Sequence, residues 1–405
     1  MEVPDRSRKS GTIDLDDGEE RDMAAERSRP RTTIDSTVLE TIRRRSVTTR
    51  VEIARELGVT PATVTNAVKR LMAAGLVIEA GHARSTGGKR ASLLRINDEA
   101  RWALGCTIEP ARLSLAAVDT TGALRSRSVL PLPLGREPAT IVETLRQGLD
   151  LMSARDSLSS ATGIGFAMPS TLPAELRTAL TATTAELGIP ALETDEATCA
   201  ALGSFWSGEQ PEQGLTATVH ANSHLAIALL QDGAPIQHAA EAASVLDHVC
   251  IDPNGHLCDC GMAGCLNLYA AGSALVEQAR HTGLAADLDV NGIEESVNAD
   301  AVLIALTATR GDDRAEQIID RAARALMQAV WPVVAGLGVD TVVLTGTWIQ
   351  AAPAPFSRAA TQYARDYGKG LGRPVTVKVS EVQPHPCAVG AAVLALKSFL
   401  STTGD

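Results

Sequence analysis

Asp247-His248, then, after nine further residues, Cys258-Asp259-Cys260-Gly261-Met262-Ala263-Gly264-Cys265-Leu266, is the most telling stretch of this chain of 405 residues. Three thiols and an imidazole, from His248, Cys258, Cys260 and Cys265, form a complete tetrahedral donor set for zinc. The glycines at 261 and 264 let the backbone bend around an ion, which a single helix or strand cannot do. Four protein ligands leave no position for water or substrate, so the expected ion is structural, not catalytic. The competing reading, reduced cysteines and a histidine packed in a core, accounts less well for the spacing.

The surrounding chain is acidic overall, with a net charge of −11, yet one segment runs the other way. Residues 30–95 hold twelve Lys/Arg against five Asp/Glu. A small basic segment on an acidic body suggests a nucleic-acid-binding module attached to something else. Residues 1–30 are polar and charged, and read as a disordered tail. An odd cysteine count of seven and a polar start at Met1-Glu2-Val3-Pro4-Asp5 suit a reducing cytoplasm better than disulfides. Cys106, Cys199, Cys250 and Cys387 read as core residues. The longest apolar candidate, Ala325–Val339, contains Gln328 and Pro332, so no membrane span is expected.

Residues 31–97 read as three helices and a hairpin. Val38, Leu39 and Ile42 mark the first helix. Val51, Ile53, Ala54 and Leu57 mark the second, stopped at Gly58. Thr60 caps the third, and Pro61 stands in its first turn, where a missing N–H costs nothing. Val64, Val68, Leu71 and Met72 supply its buried stripe. Leu76-Val77-Ile78 starts a strand, Gly81 to Gly88 forms a polar turn, and Ala91 to Ile96 returns. The third helix is the candidate for reading double-stranded DNA in the major groove. Thr60, Ala62, Thr63, Thr65, Asn66, Lys69 and Arg70 make up its candidate contact face. Arg84, Lys89 and Arg90 lie on the hairpin, as a basic wing. The competing reading is a plain three-helix bundle with a solvated charged face.

Beyond Leu104 the pattern turns β-rich. Leu113–Val118 and Leu124–Pro131 flank a turn at Asp119-Thr120-Thr121-Gly122. A helix covers about 139–152, and Gly163–Ala167 is a short buried strand. A second round starts near Thr216, with strands at Ala217–His220 and Leu225–Gln231. Long helices follow at Asp313–Gly336 and Ala352–Tyr367, around a strand at Val342-Val343-Leu344. Two successive rounds suggest a duplicated α/β domain, with lobes at 98–214 and 215–405 and a cleft between them. The C-terminal helix is free to return to the first lobe.

The metal stretch, Asp247-His248 with Cys-x-Cys-Gly-x-x-Gly-Cys-Leu, resembles the zinc signature of the ROK family (repressors, open reading frames, kinases). Gly75–Glu79 and Ser85–Arg90 also look like the winged helix-turn-helix of its repressor branch. The resemblance runs from about 36 to about 400 and implies an actin-like ATPase (sugar-kinase-like) fold for the two-lobed body. Kinases of this family carry glycine-rich phosphate turns. Here the matching stretches are Thr107-Ile108-Glu109-Pro110-Ala111, Asn222-Ser223-His224 and Thr345-Gly346-Thr347. Pro110 has no N–H, and Glu109 would repel phosphate. No ATP is therefore expected. The family's Asn-Asp pair corresponds to Asp195-Glu196, where the family places its catalytic base. Its sugar-binding Glu is Val245, and the Glu after Cys-Leu is Asn267. Asp195, Glu196, His248 and Asn267 are the candidate contacts for a sugar or sugar-derived effector, although Asp195 and Glu196 read equally well as a solvated helix start.

These readings converge on a cytoplasmic, zinc-containing, DNA-binding transcriptional regulator, a repressor acting as a homo-dimer or tetramer, and not an enzyme. Two alternatives compete with it. One is a sugar kinase with an added DNA module. The other is a DNA-binding protein whose body serves assembly alone.

Overall fold

The computed structural model describes residues 33–82, 91–133, 137–153, 158–169, 172–222, 224–236, 243–368, 372, 374–382 and 386–402. The 1–30 tail and the wing residues Arg84, Lys89 and Arg90 lie outside them.

The N-terminal module consists of α1 (Ile34–Arg45), β1 (Thr48–Thr49), α2 (Arg50–Leu57), α3 (Pro61–Ala73), β2 (Val77–His82) and β3 (Ser92–Ile96), its sheet in the order β1-β3-β2. Local chemistry sets each boundary. Thr49 and Glu52 form a reciprocal capping box at the start of α2. Gly58 ends that helix in the left-handed region, with φ +64°. Thr60 accepts the Thr63 N–H at the start of α3. The three helices bury Val38, Leu39, Ile42, Ile53, Val64, Val68 and Leu71. Each such burial contributes roughly 1.5–3 kcal/mol. Val51, expected in the α2 stripe, is instead 57 % exposed. It lies in the first turn of α2, and the core takes Ile53 and Ala54 from that helix.

The body holds two five-stranded sheets of identical topology. The first comprises β4 (Trp102–Glu109), β5 (Arg112–Asp119), β6 (Leu124–Pro131), β7 (Ala161–Ala167) and β8 (Ala191–Thr194), in the order β6-β5-β4-β7-β8. The second comprises β9 (Leu215–Ala221), β10 (Leu225–Gln231), β11 (Ala234–Pro235), β12 (Thr341–Thr345) and β13 (Thr376–Val379), in the order β11-β10-β9-β12-β13. In each, an antiparallel meander of three strands is continued by two parallel strands beyond its first member. The duplication expected from the repeated pattern is thus present. The turn after β5 closes through the Gly122 N–H on the Asp119 carbonyl at 2.9 Å.

The long helices are α4 (Pro138–Ser153), α5 (Ala174–Glu186), α6 (Glu196–Trp206), α7 (Gly272–His281), α8 (Val297–Thr309), α9 (Asp313–Leu337), α10 (Pro353–Tyr367) and α11 (Pro386–Thr402). The last returns to the first sheet and packs on β4, β7 and α6. Its approach requires glycine. A Cβ on Gly165 would stand 1.9 Å from the Ala391 carbonyl oxygen, and one on Gly390 would stand 1.6 Å from that of Cys199. Val389, Leu396 and Leu400 of α11 join Val38, Leu39 and Ile42 of the N-terminal module in one apolar cluster. Among the described residues, no helix is long and apolar enough to cross a membrane.

Candidate DNA face, metal centre and interlobe cleft

The outward face of α3 is short and polar. Ala62, Asn66 and Lys69 are exposed. Thr63 and Thr65 are half-buried, and their hydroxyls have local partners. Thr63 Oγ1 pairs with Thr60 Oγ1 at 2.9 Å, and Thr65 donates to the Pro61 carbonyl at 2.8 Å. Thr60 therefore serves first as a cap. Arg70, by contrast, has a partner within the module. Its guanidinium grips buried Asp35 of α1 through two hydrogen bonds of 2.6 and 2.5 Å. Expected on the phosphate-contacting face, it clamps α1 to α3, while Lys69 beside it is exposed.

The metal ligands converge. A 3-10 turn at Ala243–His248 delivers the imidazole, and bridges between Cys250 and Cys265 and between Leu257 and Ala263 close the loop. The ligand atoms of His248, Cys258, Cys260 and Cys265 all lie within 4.8 Å of one another. Cys258 Sγ is 3.6 Å from His248 Nδ1, and Cys260 Sγ is 3.5 Å from Cys265 Sγ. Tetrahedral arms of about 2.3 Å imply edges of roughly 3.8 Å, so the set fits a metal ion of zinc's size. Gly264 is required here: its φ is +67°, and a Cβ would stand 1.7 Å from the Asp252 carbonyl oxygen. The backbone N–H of Cys260 draws the Cys258 thiol down to about 6, toward the thiolate a metal needs. Burial pushes Cys265 up to about 12.

Asn267, expected as an effector contact, lies against this loop instead. Its amide meets Cys258 Sγ at 3.6 Å, and it takes no part in lining the interlobe cavity. His248 is likewise a loop residue and not a cavity residue.

The cavity between the lobes measures about 500 Å³. Thr107, Glu109 and Arg112 approach from β4 and β5, Glu196 from α6, His220 and Asn222 from β9 and its end, Glu295 and Asn298 from the α8 entrance, and Thr347 and Gln350 from beyond β12. Of the four effector candidates, Glu196 alone lines it. Asp195 caps α6, accepting the Thr198 N–H at 2.8 Å and its hydroxyl at 2.6 Å. Glu109 is buried, ion-paired with Arg112, and receives the Asn222 amide at 3.4 Å. Asn222 Oδ1 in turn accepts the Thr347 N–H at 3.2 Å. One polar chain thus crosses the positions where phosphate turns were sought. Burial, then the nearby charge of Glu109, pushes the Glu196 carboxyl up to about 8. Burial drives His220 down to about 4, so it is neutral; its ring lies 3.1 Å from Asn222 Nδ2 and 3.6 Å from Cys387 Sγ. His220, Glu295 and Asn298 were not foreseen. A histidine ending an apolar strand and polar residues entering a helix carry no spacing signal.

Comparison with known proteins adds the family. The profile described as ROK family matches residues 116–398, and that described as winged helix-turn-helix DNA-binding matches 31–78. A putative xylose repressor of Caldicellulosiruptor sp. (strain Rt8B.4) is 26 % identical over 281 residues, spanning 65 % of this chain and 69 % of that protein. A crystal structure of a ROK family transcriptional regulator, a homolog of the E. coli MLC protein, superposes with a TM-score of 0.71 at 18 % identity, covering 91 % of this chain and 96 % of that one. A ROK family glucokinase from Streptomyces griseus, solved with glucose and AMPPNP, gives 0.59 at 18 % identity over 72 % of this chain and 98 % of its own. At these identities the structural likeness establishes the fold.

Proposed function

The chain belongs to the ROK family, and on that premise we propose that it is a DNA-binding transcriptional regulator, a repressor, whose kinase-like body senses and assembles without transferring phosphate. The observation that carries the reading is Glu109. A buried carboxylate, already paired with Arg112 and bridged to Asn222, lies in the stretch that resembles the first phosphate turn of the family's kinases. Like charge in a low-dielectric cleft opposes a nucleotide phosphate strongly. The winged module at 31–97 supplies the partner: DNA read by Ala62, Asn66 and Lys69, with Arg84, Lys89 and Arg90 against the backbone. A homo-dimer would match a two-fold operator.

Zinc is the metal this reading assigns to His248, Cys258, Cys260 and Cys265. Three sulfurs and one nitrogen at tetrahedral spacing suit it, and four protein ligands make it structural. When bound, the ion would fix the loop against the short helix Asn267–Ala270. Asp195, Glu196, His248 and Asn267 were the effector candidates; Glu196 is the one retained, with a sugar or sugar-derived compound as ligand. The route from ligand to DNA runs along α6. Its first residue, Glu196, faces the cavity, and its last, Trp206, lies under the Arg43 guanidinium of α1 at 3.9 Å.

A sugar-kinase reading has one observation in its favour: Glu196 occupies the position of the family's base, with its carboxyl raised toward a range useful for proton transfer. Calorimetry with ATP and magnesium, followed by a coupled assay over common hexoses, separates the two. No nucleotide binding and no turnover are expected. Hexose phosphorylation abolished by Glu196→Gln would overturn the proposal.

A further inference from the structure

Outside the DNA face and the metal loop, two of the five buried polar side-chain atoms that lack a hydrogen-bond partner among the described residues, on Thr107 and Asn298, line the interlobe cavity. Its described lining sets three carboxyls, Glu109, Glu196 and Glu295, against one guanidinium, Arg112. Arg112 is committed to Glu109. Thr107 is 2 % exposed, lines the same cavity, and its hydroxyl has no hydrogen-bond partner. Asn298 Oδ1, buried in the cavity wall, has none either. A buried hydroxyl and amide oxygen left unpaired are destabilising until something bonds to them. An anion would meet the carboxyls at close range. A neutral polyol would satisfy Thr107 and Asn298 but would do nothing for Glu196, which burial and the nearby Glu109 charge hold protonated in the absence of a cation. A hydroxylated cation answers both demands.

We propose that the interlobe cavity binds a small hydroxylated primary amine in its protonated form, with the ammonium against the Glu196 carboxylate and the hydroxyls on Thr107 and Asn298. This deepens the effector part of the regulator reading and rests on it for the consequence of binding. A volume of about 500 Å³ suits a ligand of monosaccharide size. The charged groups acting on Glu196 are Glu109 and Asp195, which raise its carboxyl, and His224, which lowers it. A bound ammonium opposes burial, the largest cause of the rise, together with the charges of Glu109 and Asp195, and the carboxyl gives its proton to solvent as the ion pair forms.

The test is calorimetry on the full chain, metal-loaded and without DNA, using glucosamine, glucose and glucose 6-phosphate as probes. Glucosamine is expected to bind at least about tenfold more tightly than glucose, the difference a charge-assisted hydrogen bond makes, with glucose 6-phosphate weaker than glucose. The preference for the amine falls to parity in Glu196→Gln and returns in Glu196→Asp. A second measurement needs no variant: repeated at about pH 7 in buffers of different ionisation enthalpy, glucosamine binding releases protons and glucose binding does not. Absence of glucosamine binding, equal affinity for glucose, tighter glucose 6-phosphate, a preference that survives Glu196→Gln, or binding without proton release would overturn the proposal. Because no DNA is present, failure of the regulator reading would appear in DNA binding and not in these titrations.

Discussion

Lys69 and Arg70 are adjacent and chemically alike, yet their environments give them different work. Lys69 points outward, whereas Arg70 is bound to Asp35 across the helix pair. Lys69→Ala is therefore expected to leave the thermal midpoint unchanged and to reduce the salt dependence of DNA affinity by about one unit of slope. Arg70→Ala should lower the midpoint of the N-terminal module and weaken DNA binding only through that loss. A thermal melt beside a salt titration of both variants checks this; identical behaviour would refute it. No spacing rule could have distinguished the two, because the partner of Arg70 lies 35 positions earlier. Glu196 carries a pH signature. Its folded pKa is raised to about 8 from an ordinary 4.5, so between those values the folded state holds a proton that the unfolded state releases. Stability then falls as pH rises through that window. Glu196→Gln, which cannot ionise, should melt a few degrees above the parent at pH 9 and show no such advantage at pH 4, as pH-dependent melts of ligand-free protein would reveal.

At the scale of elements, the ends of helices and the bends of loops were legible because they rest on local chemistry. Gly58, Thr60 and Pro61 bracket α3 where the sequence places it, and Asp119 with Gly122 closes the β5–β6 turn. The metal loop was legible for the same reason, its ligands falling within 18 positions. What escaped was tertiary. Asn267 follows the loop by two residues and is drawn to Cys258, not to the cleft. Val51 fits an apolar stripe but falls in the solvent-facing first turn of α2. His220 is buried by α11, an element more than 160 residues later. The loop also supports a direct prediction. In Gly264→Ala, the new Cβ would collide with the Asp252 carbonyl at 1.7 Å. The backbone must shift, and the ligand set opens. Elemental analysis should find well under one zinc per chain in this variant and about one in the parent. Full zinc occupancy in the variant would contradict the proposed cradle.

Across the whole molecule, two sheets with one topology enclose a cleft, and the module at the N-terminus shares an apolar cluster with the returning α11. Duplication could be read from repeated patterns, but the continuity of that cluster could not, since it joins residues near 40 to residues near 400. Through α6 and α11 that continuity is the path by which the proposed effector would act on the DNA face. A regulator of this kind must read DNA sequence. The most direct measurement is selection of genomic fragments by the full, metal-loaded chain, followed by affinity for the enriched fragment and for a shuffled control at physiological salt. An enriched sequence is expected to bind on the order of 10³-fold or more above the control, with Asn66→Ala changing the preferred base at a penalty of about 1–3 kcal/mol. Binding that is equal for both fragments, or unaffected by substitutions at Asn66 and Lys69, would contradict it.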